Sequence, residues 1–257
     1  MGTRFEAILR GDDEEHLAAV ADAVLEEARR LDRTLSRFDP RSEVSRVNRE
    51  GRERPARVDR DLFDLLERCE RGWRETDGFF DAALGGEMEL DAGRCAVRLS
   101  DASLDLGAIA KGYALDRGAE ILARYAAGAG LLQGGTSSVL AVGARAWPID
   151  LRHPLFPERI VGRIELAGRA LSCSAARRAP GEPSDLVDPR TGAPLAGEDG
   201  CVVLANDATE AEIFSTALLA MGRERAREFL ASAGRSDLSV GWIDGSHNAD
   251  SLVWIWL

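Results

Sequence analysis

The sequence predicts a single domain, residues 1–257, built from both helices and strands. Three observations lead there. Apolar residues recur at helical spacing along several runs, the longest from Glu14 to Leu35. Short alternating or wholly apolar runs, bounded by glycine, proline and aspartate, read as strands. No linker, internal repeat or low-complexity tract divides the chain, and 45% hydrophobic residues over 257 positions suffice for a substantial core.

In order, Thr3 to Leu9 alternates as an opening strand, and Asp12-Asp13 precedes the helix Glu14 to Leu35, whose stripe includes Leu17, Val20, Val24, Ala28 and Leu31. Pro40 breaks that helix, and Ser42 is placed to cap a short second one with Ser45 three residues on. The intervening loop suits a surface turn or a lid over a ligand. A third helix runs from Arg60 to Trp73 and ends in Thr76-Asp77-Gly78-Phe79-Phe80-Asp81, where Asp77-Gly78 signals a turn. The two phenylalanines suit a core plug or an aromatic wall for a ring, the plug being preferred. Leu84 to Leu99 reads as turn-rich strands.

The organising stretch is Leu104 to Asp116, LDLGAIAKGYALD. Leu104 to Gly107 resembles a strand end, and Ala108 to Leu122 has helical spacing. A strand, glycine turn and helix bring backbone close to a ligand and aim helix N–H groups at it, which suits a diphosphate; a tight structural corner would need the same glycine. Lys111 is the sole lysine in a chain that otherwise uses arginine, so a compact ammonium stands where guanidinium is the habit. The order of Lys111, Gly112 and Tyr113 excludes a Walker A loop.

Further on, Gly130 to Leu140 reads as a strand interrupted at Gly134-Gly135 and then resumed. Trp147 to Leu151 and Arg159 to Leu166 alternate as strands, Arg169 to Ser174 runs into a polar loop, and Asp188-Pro189-Arg190-Thr191-Gly192 is a compact turn. Val202 to Ala205 is a buried strand. It leads to a helix from Glu210 to Met221, where Glu212 and Thr216 share a face at i and i+4. That pair offers oxygen ligands to a hard ion such as Mg²⁺, and equally fits a solvated helix face. Arg223 to Ser232 forms the last helix, before strands at Ser239 to Ile243 and Leu252 to Trp256.

Charge and composition narrow the function. A net charge of −11 repels nucleic acid and anionic membranes, so an anionic substrate needs a metal, a helix terminus or a few local cations. The opening MGTRFEAILR lacks an apolar core and no later run is long enough for a bilayer, so no membrane span and a cytoplasmic location are expected. Cys69, Cys95, Cys173 and Cys201 lack C-x-x-C spacing and read as free thiols. His16, His153 and His247 are too dispersed for a histidine metal site or triad.

Together the pieces resemble the FAD:protein FMN transferase family, the ApbE-type flavin transferases. The resemblance rests on the initial MGT, Leu35-Ser36-Arg37-Phe38 with Ser42 and Asn48, Thr76 to Asp81, LDLGAIAKGYALD, Gly134-Gly135, Asp188 to Gly192, and Ser215-Thr216-Ala217-Leu218. It implies an α+β fold of mixed or antiparallel sheets with packed helices. It also implies Mg²⁺-dependent transfer of the FMN half of FAD, the substrate, to a Ser or Thr hydroxyl of an acceptor protein, releasing AMP. Carried over by position, Glu212, Thr216 and a backbone carbonyl near Ala108 are the metal positions. Phe38, Phe80, Asp105, Gly107, Lys111, Asp116, Gly135 and Ser172 fall at FAD-contacting positions, and Asp185 and Asp188 at catalytic ones. The chain departs from the family pattern where Glu212 stands for an aspartate, Asp185 for a histidine, Thr136 for an asparagine, and Ser172-Cys173-Ser174-Ala175-Ala176 for Thr-Ser-Gly followed by an acid and an aromatic. Two other readings are a divergent paralogue that binds FAD or another nucleotide without transfer, and a non-enzymatic scaffold with a decayed site.

Overall fold

In the computed structural model, residues 3–177, 182–245 and 252–256 are described; Met1 and Gly2 of the initial motif lie outside them. The backbone of the fold is a seven-stranded antiparallel sheet in the order β1 (Phe5–Arg10), β5 (Ala129–Gly134), β6 (Ser138–Val142), β9 (Ala170–Ala175), β10 (Gly200–Ala205), β11 (Ser239–Ile243) and β12 (Leu252–Trp256). Period-2 alternation divides its side chains between two cores. Leu132, Leu140 and Val203 point into the larger core, under the helices. Their neighbours Leu131, Val139, Ala141, Val202 and Leu204 point to the other face. There Trp147, Leu151, Val161 and Leu166 of the hairpin β7 (Trp147–Arg152) and β8 (Ile160–Leu166) cover them. Every residue of β10 is buried, as expected of a central strand covered on both sides.

The helical layer consists of α1 (Glu14–Leu35), α3 (Arg60–Glu75), α4 (Ala110–Arg124), α5 (Ala208–Met221) and α6 (Arg223–Ala233), with the short α2 (Glu43–Glu50) near the rim. Local chemistry sets their starts. Asp13, Ser42, Asp59 and Asp207 each accept the backbone N–H three residues on, satisfying a first-turn donor of α1, α2, α3 and α5. Helix α5 is buried nearly all round and packs against α4, β9 and β10, so it forms the centre of the molecule. A small sheet of β2 (Ala56–Arg57), β4 (Ala96–Ser100) and β3 (Glu87–Asp91) completes the structure. Among the described residues no helix is long and apolar enough to cross a membrane.

Three local expectations are corrected. Leu104 to Leu106 pairs with no strand: Asn48 brackets Leu104 through both its N–H and its carbonyl, and Asp105 N–H donates to the Ala82 carbonyl. Gly134-Gly135 ends one strand and turns into the next, giving a hairpin instead of a bulged strand; Gly135 has φ +67. Arg169 to Ser174, expected to trail into a loop, lies mostly in β9, held by β6 and β10 on either side.

Candidate functional site

Helix α5 carries the one acid buried at the centre of the site. Glu212 is 3% exposed, a cost met by two donors from other elements. Lys111, in the first turn of α4, places Nζ 3.2 Å from Glu212 Oε2, and the Ser138 hydroxyl, at the start of β6, donates to Oε1. The sole lysine of the chain is therefore the counter-ion of this carboxylate. Gly134 adjoins the pair: a Cβ there would stand 3.5 Å from Lys111 Cβ.

Behind Glu212 runs a chain of hydroxyls. Ser215 Oγ lies 3.0 Å from Ser172 Oγ and 2.8 Å from Ser174 Oγ, and donates to the Glu212 carbonyl at 3.2 Å. Ser174 Oγ is also 3.4 Å from Thr216 Oγ1. Strand β9 contributes Ser172 and Ser174 because alternate residues share a face. Between them, Cys173 has its thiol pushed up to about 12, by burial first and by the charge of Glu212 second, so it stays protonated at neutral pH. Sequence reasoning missed Ser138, Ser174 and Ser215; the Ser-x-Ser spacing in β9 was the available signal for Ser174.

The turn before α4 meets the loop after α1. Asp105 accepts the Gly107 N–H at 2.9 Å and pairs with Arg37 Nε at 3.2 Å. Arg37 also lies over the ring of Phe38, 4.7 Å from its centroid, and Phe38 is 81% exposed. The turn closes largely on itself, since both Ile109 N–H and Ala110 N–H donate to the Leu106 carbonyl. These two bonds use N–H groups at the entry to α4, and no side chain caps the helix, so the expected N–H groups of its first turn at Lys111 and Gly112 are not taken up by the turn.

Other expected positions fall elsewhere. Phe80 is 2% exposed within the main core, which corrects its assignment to a ring contact and agrees with the preferred plug. Ser172 is buried beneath α5, bonded to Ser215. Gly135 packs on Thr3, where a Cβ would come within 2.3 Å of Oγ1. Asp116 faces the start of α5, not the Glu212 end. Its carboxyl is raised to about 6, by burial first and then by the Asp207 charge. Asp188 binds Arg190 through backbone and side chain, which holds its carboxyl below the usual carboxylate range and ties the 188–192 turn. That turn meets the Thr76–Asp81 segment, because Arg190 lies over the Phe79 ring at 4.4 Å. Asp185 is exposed on the same segment as this turn.

Among the described residues no group of three His, Cys, Asp or Glu could hold a metal. An ion at Glu212 would have one carboxylate, the Thr216 hydroxyl one turn further along α5 and a carbonyl near Ala108. An all-oxygen set with little charge fits a hard ion that keeps several waters, as Mg²⁺ does, and does not suit Zn²⁺. A cavity of about 510 Å³ on α5 is lined by Ile213 and Phe214 and by none of Glu212, Ser215 or Thr216, so it is separate from this site.

Comparison with known proteins places the chain in a family and a fold. A FAD:protein FMN transferase of Klebsiella pneumoniae (strain 342) is 26% identical over 250 residues, covering 82% of this chain and 78% of that protein. The ApbE protein of Thermotoga maritima superposes with a TM-score of 0.82 at 21% identity, covering 93% and 94% of the two chains. Flavin transferase ApbE from Vibrio cholerae gives 0.81 at 20% identity, covering 99% and 94%. These structures show a shared α+β fold. The family model described as "ApbE family" matches residues 1–92 and 86–239, and the chain therefore belongs to the ApbE family.

Proposed function

We propose that this chain is a single-domain, Mg²⁺-dependent FAD:protein FMN transferase that moves FMN from FAD to a Ser or Thr hydroxyl of an acceptor protein and releases AMP. Transfer activity is supported by the names of its relatives, FAD:protein FMN transferases from several bacteria. The observation that supports the finer reading is the convergence of Lys111 and Ser138 on one buried carboxylate, Glu212, four residues before Thr216 on α5. Four unpaired cysteines accord with work in the reducing cytoplasm.

The reaction forms a bond from the acceptor hydroxyl oxygen to the phosphorus that carries riboflavin. The diphosphate P–O bond to AMP breaks, AMP takes the electron pair, and a base takes the hydroxyl proton. Glu212, Thr216 and the carbonyl near Ala108 would hold Mg²⁺, which when bound neutralises charge on the diphosphate. Lys111 adds a fixed positive charge beside it in a protein of net charge −11. The exposed ring of Phe38 offers a face to a base or flavin, oriented by the Arg37–Asp105 pair. Asp185 and Asp188 are the two candidate acids for proton removal, and Arg190 holds the Asp188 carboxyl below the usual carboxylate range.

The direct test is a titration of FAD into metal-free protein with and without Mg²⁺, following flavin fluorescence, then an assay of AMP release with a Ser/Thr acceptor polypeptide. Saturable binding with Mg²⁺-dependent AMP release is expected. Binding without AMP would replace transfer by nucleotide binding, and no binding would remove the flavin reading. Asp185→Ala is expected to lower turnover about 10²-fold while FAD affinity changes less than about 2-fold, the signature of a proton-transfer group. Unchanged turnover would take Asp185 out of the mechanism.

A further inference from the structure

Helix α5 has two carboxylates at its N-terminus. One is local: Asp207 accepts the Glu210 N–H at 2.8 Å and caps the helix in the ordinary way. The other, Asp116, comes from α4. It accepts Ala208 N–H at 2.8 Å and Thr209 N–H at 2.9 Å, and also takes the Thr209 hydroxyl hydrogen bond. Arg68 of α3 bridges the two acids, its Nη1 lying 3.2 Å from Asp207 and 3.5 Å from Asp116.

The local cap satisfies one first-turn N–H; Asp116 takes two more and, because it comes from α4, joins the two helices as it does so. Five residues before Asp116 on α4 stands Lys111, which reaches Glu212, four residues beyond Ala208 on α5. Moving forward along α4 thus moves backward along α5, and the contacts at Asp116 and Lys111 pin the pair at two points. Between them Gly112 lets the helices touch, since a Cβ there would stand 2.3 Å from the Ala208 carbonyl oxygen and 2.8 Å from Glu212 Cγ.

We infer that Asp116 is a positioning residue: by tying the start of α5 to α4 it sets where Glu212 and Thr216 stand relative to Lys111, without itself touching the flavin. Its consequence for catalysis rests on the reading of Glu212 as the metal carboxylate. At 1.5 Å rise per residue Glu212 lies about 6 Å along the axis from Ala208, so slippage at the tether passes directly to the site. Burial first and the Asp207 charge second raise the proton affinity of the Asp116 carboxyl, against the bonds from Thr209 and Ala208 that oppose it, and these bonds hold the group in place.

The sole lysine supplies a local probe. Protein labelled with ¹³C and ¹⁵N lysine has one side-chain ammonium resonance, that of Lys111, and it reports the pairing with Glu212. Asp116→Asn, and the milder Thr209→Val, which removes only the hydroxyl donor, are expected to shift this resonance toward that of a free lysine, Asn more than Val. FAD affinity should change less than about 2-fold while the Mg²⁺ concentration for half-maximal AMP release rises about 10-fold in Asp116→Asn. An unmoved lysine resonance in both folded variants would overturn the inference, as would FAD affinity falling in step with turnover. Should the wild-type protein release no AMP, the transferase reading fails, while the resonance in the two variants still decides the role of Asp116.

Discussion

Glu212→Gln is expected to abolish the response to Mg²⁺ and to lower AMP release by about 10²-fold or more, equivalent to about 2.7 kcal/mol of transition-state stabilisation. Glutamine keeps the length of the side chain and an oxygen for Ser138, so the shape of the site survives while its one anionic metal donor is lost. Removing the charge also strands Lys111. That ammonium is 19% exposed and can turn toward water, which keeps the penalty below the 3–5 kcal/mol typical of a fully buried broken pair. A loss of about 1–2 kcal/mol, or about 3–6 °C in melting temperature, is expected for a chain of this size. Metal-response assays and thermal melts on the same preparation separate the effects: a variant that melts far lower, or that keeps its Mg²⁺ dependence, would make Glu212 a structural acid.

Gly112→Ala should harm both stability and activity, against the usual helix rule. Alanine in place of an interior helical glycine normally favours the helix by about 1 kcal/mol. Here the new methyl would lie 2.3 Å from the Ala208 carbonyl oxygen and 2.6 Å from its carbon, both backbone atoms that cannot swing aside. Overpacking of this kind costs about 1–3 kcal/mol or more, so α4 and α5 must separate and the net change is destabilising, by about 2 kcal/mol. Separation pulls Lys111 from Glu212, and AMP release should fall at least about 10-fold even where the protein remains folded. Gly118, on the same helix, is the control. A Cβ there meets Leu132 Cδ1 at 2.9 Å and Val24 Cγ1 at 3.0 Å, side-chain ends that can shift, so Gly118→Ala should be much milder. Equal effects at the two glycines would mean that the α4–α5 contact has no special place in the site.

Much of the fold was legible because local rules act over short distances. The stripe of α1, the Ser42 cap of α2, the Asp77-Gly78 turn and the start of β11 all follow from spacing and backbone preference. Errors arose where a long-range bond decided the backbone. Leu104 to Leu106 has a strand-like composition, yet Asn48, 56 residues earlier, takes the bonds a neighbouring strand would have made. Gly134-Gly135 reads as an interruption within one strand, and it is the pairing of Ser138 with Gly134 that makes it a hairpin turn.

The candidate site divides the same way. By itself the sequence determined that Lys111 is unusual, that Glu212 and Thr216 share a helical face, and that the chain carries the motifs of a flavin transferase family. These are matters of composition, helical period and spacing. Only the tertiary structure decided that Lys111 and Glu212, 101 residues apart, form an ion pair, that Phe80 belongs to the core, and that Asp116 meets the N-terminus of α5. Such contacts depend on how two helices cross, and that crossing is set by a backbone approach at Gly112 which only the folded packing of α4 on α5 reveals.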